Sequence, residues 1–157
     1  MFSKLFKKNN DNLVCCPVNG KVVDITEVND PVFSDKMMGE GVAIIPEDGI
    51  ICSPVDGCIS QIFSTKHAVL IKSKEDLDII IHIGLETVKL NGEGFNVLVN
   101  EGDKVTIGKK LIEVDLEFLK NKGISPITPV IIANHENKNI VKCLGDKRNG
   151  EAIMKIK

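Results

Sequence analysis

Short runs rich in apolar and β-branched residues follow one another along the chain from Val14 onward. Glycine, proline, asparagine and aspartate separate these runs, as in the Asp56-Gly57 and Asn149-Gly150 turns. Such spacing is typical of antiparallel strands joined by tight turns. The pattern predicts strands at Gly20–Thr26, Val42–Ile45, Ile50–Ser53, Gly57–Phe63, Ala68–Lys72, Leu77–Ile83, Lys110–Asp115, Val130–Ala133, Asn139–Cys143 and Ala152–Ile156.

Only one segment carries the signals of a helix. Asp115 is placed to cap Leu116–Lys122, and Gly123 is placed to end it before Pro126. No long stretch has the 3.6-residue apolar period, which disfavours architectures built on parallel sheets. We therefore predict an all-β fold: an antiparallel β-sandwich or barrel of the barrel–sandwich hybrid type, with one or two short helical turns.

The first residues are expected to differ from the rest. Residues 13–157 are predicted to form a single domain, and residues 1–12 a flexible tail. The alternative for the tail is a weak contact with a membrane surface, because four apolar residues recur at helical spacing among lysines. These residues are Met1, Phe2, Leu5 and Phe6, with Lys4, Lys7 and Lys8.

Composition narrows the classes of function. The 157 residues include 20 Lys+Arg against 22 Asp+Glu, no Trp or Tyr, and six Phe. A nucleic-acid binder would need a basic face and aromatic platforms, so this class is disfavoured. The five cysteines form no CxxC pair, and no apolar stretch is long enough for a signal peptide or a membrane span. We expect a cytoplasmic monomer with reduced thiols.

Two of the three histidines are predicted to meet. Strand alternation places Ile80, His82 and Gly84 on one face of the most apolar strand. If the preceding strand pairs with it through a turn centred between positions 74 and 75, facing residues sum to 149. This register puts His67 opposite His82.

A pair of neighbouring imidazoles has three interpretations. It is a structural pair with satisfied hydrogen bonds, a metal site that lacks a third ligand, or a phosphoryl relay. In a relay one neutral imidazole attacks phosphorus and the other holds the phosphoryl oxygens. Thr65 is suited to fix the tautomer of His67, whereas His135, in a polar loop, is expected to be at the surface and inert.

The residues around this pair carry a resemblance to a known family. The strings are Phe63-x-Thr65-x-His67-Ala68 and Ile81-His82-Ile83-Gly84-Leu85-Glu86-Thr87-Val88-x-Leu90-x-Gly92-x-Gly94-Phe95. They resemble the glucose-type IIA component of the bacterial phosphoenolpyruvate-dependent sugar phosphotransferase system. The similarity runs from about Pro17 to the C-terminus and includes the segment from Asp30 to Ile44.

The resemblance implies a site and a reaction. His82 would accept a phosphoryl group through Nε2 from the phosphocarrier HPr and pass it to a cysteine of a IIB domain. His67 would hold the phosphoryl oxygens, Thr65 would orient His67, and the carbonyl of Gly84 would accept the Nδ1 proton of His82. No cofactor would be required, although a zinc ion shared with a partner at His67 and His82 stays open.

The resemblance also implies a docking surface. An apolar patch would contact both partners, and three carboxylates would surround it and meet basic residues of HPr. This chain has Glu86 where the family usually has Asp, and Ile80 where it often has Phe, which bears on partner preference. The apolar patch consists of Val32, Phe33, Met37, Met38, Phe63, Ile80 and Val88, and the carboxylates are Asp30, Asp35 and Glu86.

Three other functions compete with this interpretation. A biotinyl or lipoyl carrier shares the turn chemistry but needs a lysine at a hairpin tip, and Met154-Lys155 lies too close to the C-terminus. A zinc hydrolase would need an H-x-H pair or an acidic ligand near His82. A regulatory module that binds proteins according to its phosphorylation state stays open.

Overall fold

The computed structural model describes residues 12–157, in which fourteen short strands account for most of the regular structure. The predictions of a flexible tail and of membrane contact fall on residues 1–11 and lie outside the described residues. Within residues 12–157 no helix is long and apolar enough to cross a membrane.

The elements alternate with tight turns along the whole chain. Two short α-helices and two 3-10 helices, the latter at Ile25–Glu27 and Thr87–Leu90, interrupt the strands. The strands are β1 (Leu13–Cys15), β2 (Gly20–Asp24), β3 (Glu40–Pro46), β4 (Ile50–Cys52), β5 (Gly57–Ile62), β6 (Ala68–Ser73), β7 (Asp78–His82), β8 (Phe95–Val97), β9 (Lys104–Val105), β10 (Lys110–Val114), β11 (Thr128–Ile132), β12 (Ile140–Lys142), β13 (Gly145–Lys147) and β14 (Ala152–Ile156), and the α-helices are α1 (Pro31–Ser34) and α2 (Leu116–Asn121).

The strands form three antiparallel sheets. The largest has eight strands in the order β13-β2-β3-β11-β7-β6-β5-β9, and two three-stranded sheets have the orders β1-β14-β12 and β4-β10-β8. None of these sheets, as far as the described residues go, closes into a barrel. The predicted all-β antiparallel class is confirmed, as open sheets packed together.

Strand β7 separates two apolar clusters. Ile79 and Ile81 are fully buried in the main cluster, whereas Ile80 packs against a smaller cluster around Phe33 and Ile131. Alternate residues of a strand point to opposite faces, so the predicted division of this strand between two faces is confirmed. His82 therefore leaves β7 on the side of the smaller cluster.

The predicted register of the β6–β7 hairpin is wrong by one residue. Ala68, not His67, lies opposite His82, and Val69 lies opposite Ile81. The turn contains three residues between Ser73 and Leu77, and Ser73 N donates a hydrogen bond to the Leu77 carbonyl. Asp76, the last residue of the turn, has φ +61°. A three-residue loop with a left-handed last residue moves the centre of the hairpin to position 75.

Side-chain caps set several element boundaries. The predicted strand Gly20–Thr26 ends at Asp24, because the Asp24 carboxylate accepts from Thr26 N and starts a 3-10 helix. Asp115 caps α2 at Phe118 N as predicted, and Gly123 follows that helix at φ +70°. The pattern missed β1, β8, β9, β13 and α1, each five residues or shorter.

Candidate functional site

His82 ends β7 with its ring held by its own chain. Its Nδ1 lies 2.9 Å from the carbonyl oxygen of Gly84. A carbonyl only accepts hydrogen bonds, so Nδ1 carries the proton and Nε2 of the neutral ring keeps its lone pair. The residue is half-buried, so part of it stays accessible to solvent.

The turn at Gly84 requires glycine. Its φ of +78° is unfavourable for other residues, and an added Cβ would lie 2.6 Å from Thr87 Cγ2 and 3.0 Å from the Ser125 carbonyl. Gly84 N donates to the carbonyl of Ile127 at 3.0 Å. The carbonyl that binds His82 is thus fixed by contacts with two other segments of the chain.

His67 lies immediately before β6 and is 3% exposed. Its Nδ1 is 2.7 Å from the hydroxyl oxygen of Thr65, and Lys66 between them has φ +63°. The chain is not a regular strand there, so the His67 ring does not follow strand alternation. It meets the His82 ring edge-on, with ring centroids 4.8 Å apart and planes at 81°. The two histidines are therefore neighbours despite the shifted register.

Phe33 packs against the His82 ring. Helix α1 begins at Pro31, where Asp30 caps Val32 N with its carboxylate, and it carries Phe33 inward. Phe33 is only 3% exposed, and its ring centroid lies 4.9 Å from that of His82. In the unbound chain this ring packs against His82, and the contact of Phe33 with a partner stays a prediction.

The environment keeps both imidazoles neutral. Burial, with a smaller effect of the neighbouring His67, lowers the pKa of His82 to about 4, against the opposing effects of the Gly84 carbonyl and Asp30. Burial also lowers the pKa of His67. At neutral pH the site therefore holds an unprotonated His82 imidazole beside a neutral second imidazole.

Three of the other predicted contact residues are exposed at the surface. Val32 is 40%, Met37 71% and Val88 51% exposed, whereas Met38 and Ile80 are partly buried against the smaller cluster. Phe63 lies beside His67, with ring centroids 5.8 Å apart. Exposed apolar side chains thus lie on α1, whose Phe33 contacts His82, and on the 3-10 helix that follows β7.

The three predicted carboxylates have different environments. Asp30 is half-buried and caps α1, Asp35 is exposed, and Glu86 forms an exposed ion pair of 3.0 Å with Lys89. The Asp30-Pro31 dipeptide is a helix-start signal that the sequence analysis did not use. No local signal marks the role of Thr87, a fully buried residue whose hydroxyl donates to the Ile83 carbonyl at 2.6 Å.

The described residues give no support to the competing sites. Within residues 12–157 no group of three or more His, Cys, Asp or Glu is placed to hold a metal. His135 lies in the loop between β11 and β12, outside the pair. Met154 and Lys155 lie inside β14, so Lys155 is not at a hairpin tip as a biotinyl or lipoyl carrier requires.

The chain matches one protein family over most of its length. Residues 12–138 match the family model described as phosphoenolpyruvate-dependent sugar phosphotransferase system, EIIA 1. The chain is 50% identical over 145 residues to the PTS system glucose-specific EIIA component of Bacillus cereus, covering 90% of this chain and 88% of that protein.

Two further proteins show the same likeness. The chain is 44% identical over 146 residues to the PTS system glucose-specific EIICBA component of Staphylococcus carnosus, covering 92% of this chain and 22% of that longer protein. Among solved structures, glucose permease IIA from Mycoplasma capricolum matches with a TM-score of 0.86 and 36% identity, covering 90% of this chain and 93% of that one.

Proposed function

The chain belongs to the EIIA 1 family of the phosphoenolpyruvate-dependent sugar phosphotransferase system, and on that premise we propose that it is a cytoplasmic phosphoryl carrier in which His82 accepts the group from HPr and a IIB cysteine receives it. One observation supports this proposal most: the two adjacent imidazoles have different kinds of hydrogen-bond partner at Nδ1. Nδ1 of His82 faces a carbonyl, whereas Nδ1 of His67 faces a hydroxyl.

Opposite partners allow opposite tautomers. His82, which donates Nδ1–H to Gly84, presents an Nε2 lone pair. In the arrangement we propose, the Thr65 hydroxyl donates to Nδ1 of His67, so that Nε2 of His67 carries a proton. One ring is then a nucleophile and the other a hydrogen-bond donor for phosphoryl oxygens.

The transfer step breaks and makes one bond. The lone pair of His82 Nε2 attacks phosphorus, and the bond to the donor imidazole of HPr breaks with its electron pair going to that nitrogen. Positive charge grows on the His82 ring, and the Gly84 carbonyl, which accepts Nδ1–H at 2.9 Å, stabilises it. The second transfer repeats this step with His82 as leaving group and a thiolate as nucleophile. As proposed, the relay needs no metal.

The surface around His82 suits two successive partners. Met37 and Val88 are exposed, Val88 lies in the 3-10 helix that follows the Gly84 turn, and a flexible methionine can repack against unlike surfaces. The similar protein of Staphylococcus carnosus is an EIICBA component, which supports a IIB domain as the acceptor. The names of these relatives support glucose as the sugar of the permease served.

Label transfer in a reconstituted system tests this function. With labelled phosphoenolpyruvate, Enzyme I and HPr, we expect wild-type protein to take up label and His82→Ala to take up none. For His67→Gln we expect uptake to persist, with impaired transfer to a IIB domain, because the glutamine amide is a donor but does not reproduce the ring geometry of the imidazole Nε2–H. His135→Gln is the matched control and should behave as wild type.

The possible results separate the roles of the two histidines. Label on His82→Ala at the wild-type level would exclude His82 as the acceptor. Unchanged onward transfer by His67→Gln would exclude the role of His67. Uptake without onward transfer by the wild-type protein would favour a regulatory module over a carrier.

A further inference from the structure

Thr87 closes the loop that holds His82. Its side chain is fully buried, and its hydroxyl donates to the Ile83 carbonyl at 2.6 Å. Ile83 follows His82 directly, and Thr87 is the first residue of the 3-10 helix Thr87–Leu90. The hydroxyl therefore joins the end of β7 to the start of that helix across the intervening turn.

The turn between these two residues is conformationally demanding. Gly84 has φ +78°, and Glu86, which is not a glycine, has φ +59°. No side chain caps the 3-10 helix at Glu86. Left-handed conformations at non-glycine residues are retained only where surrounding contacts impose them. The bond from Thr87 supplies such a contact inside the turn.

The Ile83 backbone connects Thr87 to both histidines. Ile83 N donates to the His67 carbonyl at 2.7 Å, and Ile83 O accepts from Thr87. On the other side of the turn, the Thr87 methyl carbon occupies the space that a Cβ of Gly84 would need, at 2.6 Å. Thr87 thus acts on the carbonyl of Ile83 with its hydroxyl and on Gly84 with its methyl.

We propose that Thr87 is a positioning residue, which sets the Gly84 carbonyl at the distance that holds His82 in its Nδ1–H tautomer. Without the hydroxyl, the buried Ile83 carbonyl loses its partner and the turn relaxes. The Gly84 carbonyl then moves from Nδ1, and the His82 ring samples the tautomer with its proton on Nε2. A ring in that tautomer has no lone pair at the attacking nitrogen. The consequence for transfer rests on the proposed function, whereas the tautomer is a property of the protein alone.

Two substitutions distinguish the effect of the Thr87 hydroxyl from the effect of its methyl group. Thr87→Val keeps the shape and removes the hydrogen bond, whereas Thr87→Ser keeps the hydroxyl and removes the methyl. Ser53→Ala is the matched control, because Ser53 is fully buried and its hydroxyl donates to the Val55 carbonyl at 2.7 Å, away from the histidines. It should lose a comparable amount of stability without an effect on His82.

The readouts are the ¹⁵N shifts of the His82 ring in unphosphorylated protein and the rate of phosphoryl acceptance from HPr. For Thr87→Val we expect mixed tautomers and a roughly 10-fold slower acceptance, since one buried hydrogen bond of about 1.4 kcal/mol corresponds to that factor. Thr87→Ser should keep a single tautomer and most of the rate. The proposal would be overturned if Thr87→Val had the ¹⁵N shifts of the wild-type His82 ring. It would also be overturned if Thr87→Val and Thr87→Ser lost the same fraction of the acceptance rate. If the wild-type protein takes up no phosphoryl group, the proposed function fails, and the ¹⁵N shifts still decide the role of Thr87.

Discussion

Acid should destabilise this protein through His82. The pKa of His82 is lowered from 6.5 to about 4 by burial, with His67 adding to the effect. The unfolded chain therefore binds a proton at His82 between these two values, while the folded chain does not. Stability is full above pH 6.5 and is lost as the pH falls toward 4, because stability falls with pH wherever the unfolded state binds more protons.

The size of the effect follows from the shift. One pKa unit corresponds to about 1.36 kcal/mol, so the full shift corresponds to about 3 kcal/mol. His82 is half-buried rather than fully buried, and solvent reduces the effect. Between pH 7 and pH 4.5 we expect His82 alone to lower the free energy of unfolding by about 2 kcal/mol. Burial lowers the pKa of His67 as well, which adds to the loss in the same direction.

Urea unfolding of the wild-type protein and His82→Gln from pH 7.5 to pH 4.5 measures this contribution. Titrating groups distant from His82 affect both proteins alike, so the difference between their free energies of unfolding reports His82 together with its coupling to the neighbouring His67. We expect wild type to lose about 2 kcal/mol relative to the variant over this range. His135→Gln controls for the removal of an imidazole elsewhere. A difference that does not change with pH would refute the reasoning, because it would mean that His82 titrates alike in the folded and unfolded chains.

Three further predictions concern the turn, an ion-pair cluster and the exposed surface. Gly84→Ala should cost about 2 kcal/mol more in urea unfolding than Gly108→Ala, because both have positive φ but only Gly84 lacks room for a Cβ; equal losses would contradict this. Lys142→Met should cost about 2 kcal/mol, since it removes the ammonium that lies 2.6 Å from both half-buried carboxylates and leaves Glu40 with Lys36, and Asp24 with Thr26, as remaining partners; a stability within 0.5 kcal/mol of wild type, on the order of a surface substitution, would exclude this role. Met37→Gln should leave the unfolding free energy unchanged and weaken the binding of HPr in calorimetry, because this side chain is 71% exposed; wild-type affinity would remove it from the docking surface.

The positions of most strands and turns could be predicted from the sequence, because apolar runs mark the strands and Gly, Pro, Asn and Asp mark the turns. Strand β7 shows this, since its alternation alone separated the core residues Ile79 and Ile81 from the face of His82. Helix α2 was equally accessible through its capping aspartate. Helix α1 has only four residues and too few positions to show a period, and only the Asp30-Pro31 signal marks it.

The exact geometry of the site was less accessible, because it depends on turn conformations. Whether the β6–β7 turn has two or three residues depends on the left-handed conformation of Asp76, which the sequence does not determine. The predicted proximity of His67 and His82 is correct although the predicted register is wrong by one residue, because His67 lies outside the regular strand. The burial of Phe33 and the bond from Thr87 to Ile83 depend on packing between distant segments, which no local pattern records.

The central claim is that Nε2 of His82 is the atom that carries the phosphoryl group. Phosphorylation of ¹⁵N-histidine-labelled protein by phosphoenolpyruvate, Enzyme I and HPr, followed by ³¹P–¹⁵N correlation NMR at alkaline pH, identifies the bonded nitrogen directly. We predict a single phosphorus–nitrogen coupling to Nε2 of His82, with Nδ1 still protonated toward Gly84. A coupling to Nδ1 of His82, or to any nitrogen of His67 or His135, would contradict the account.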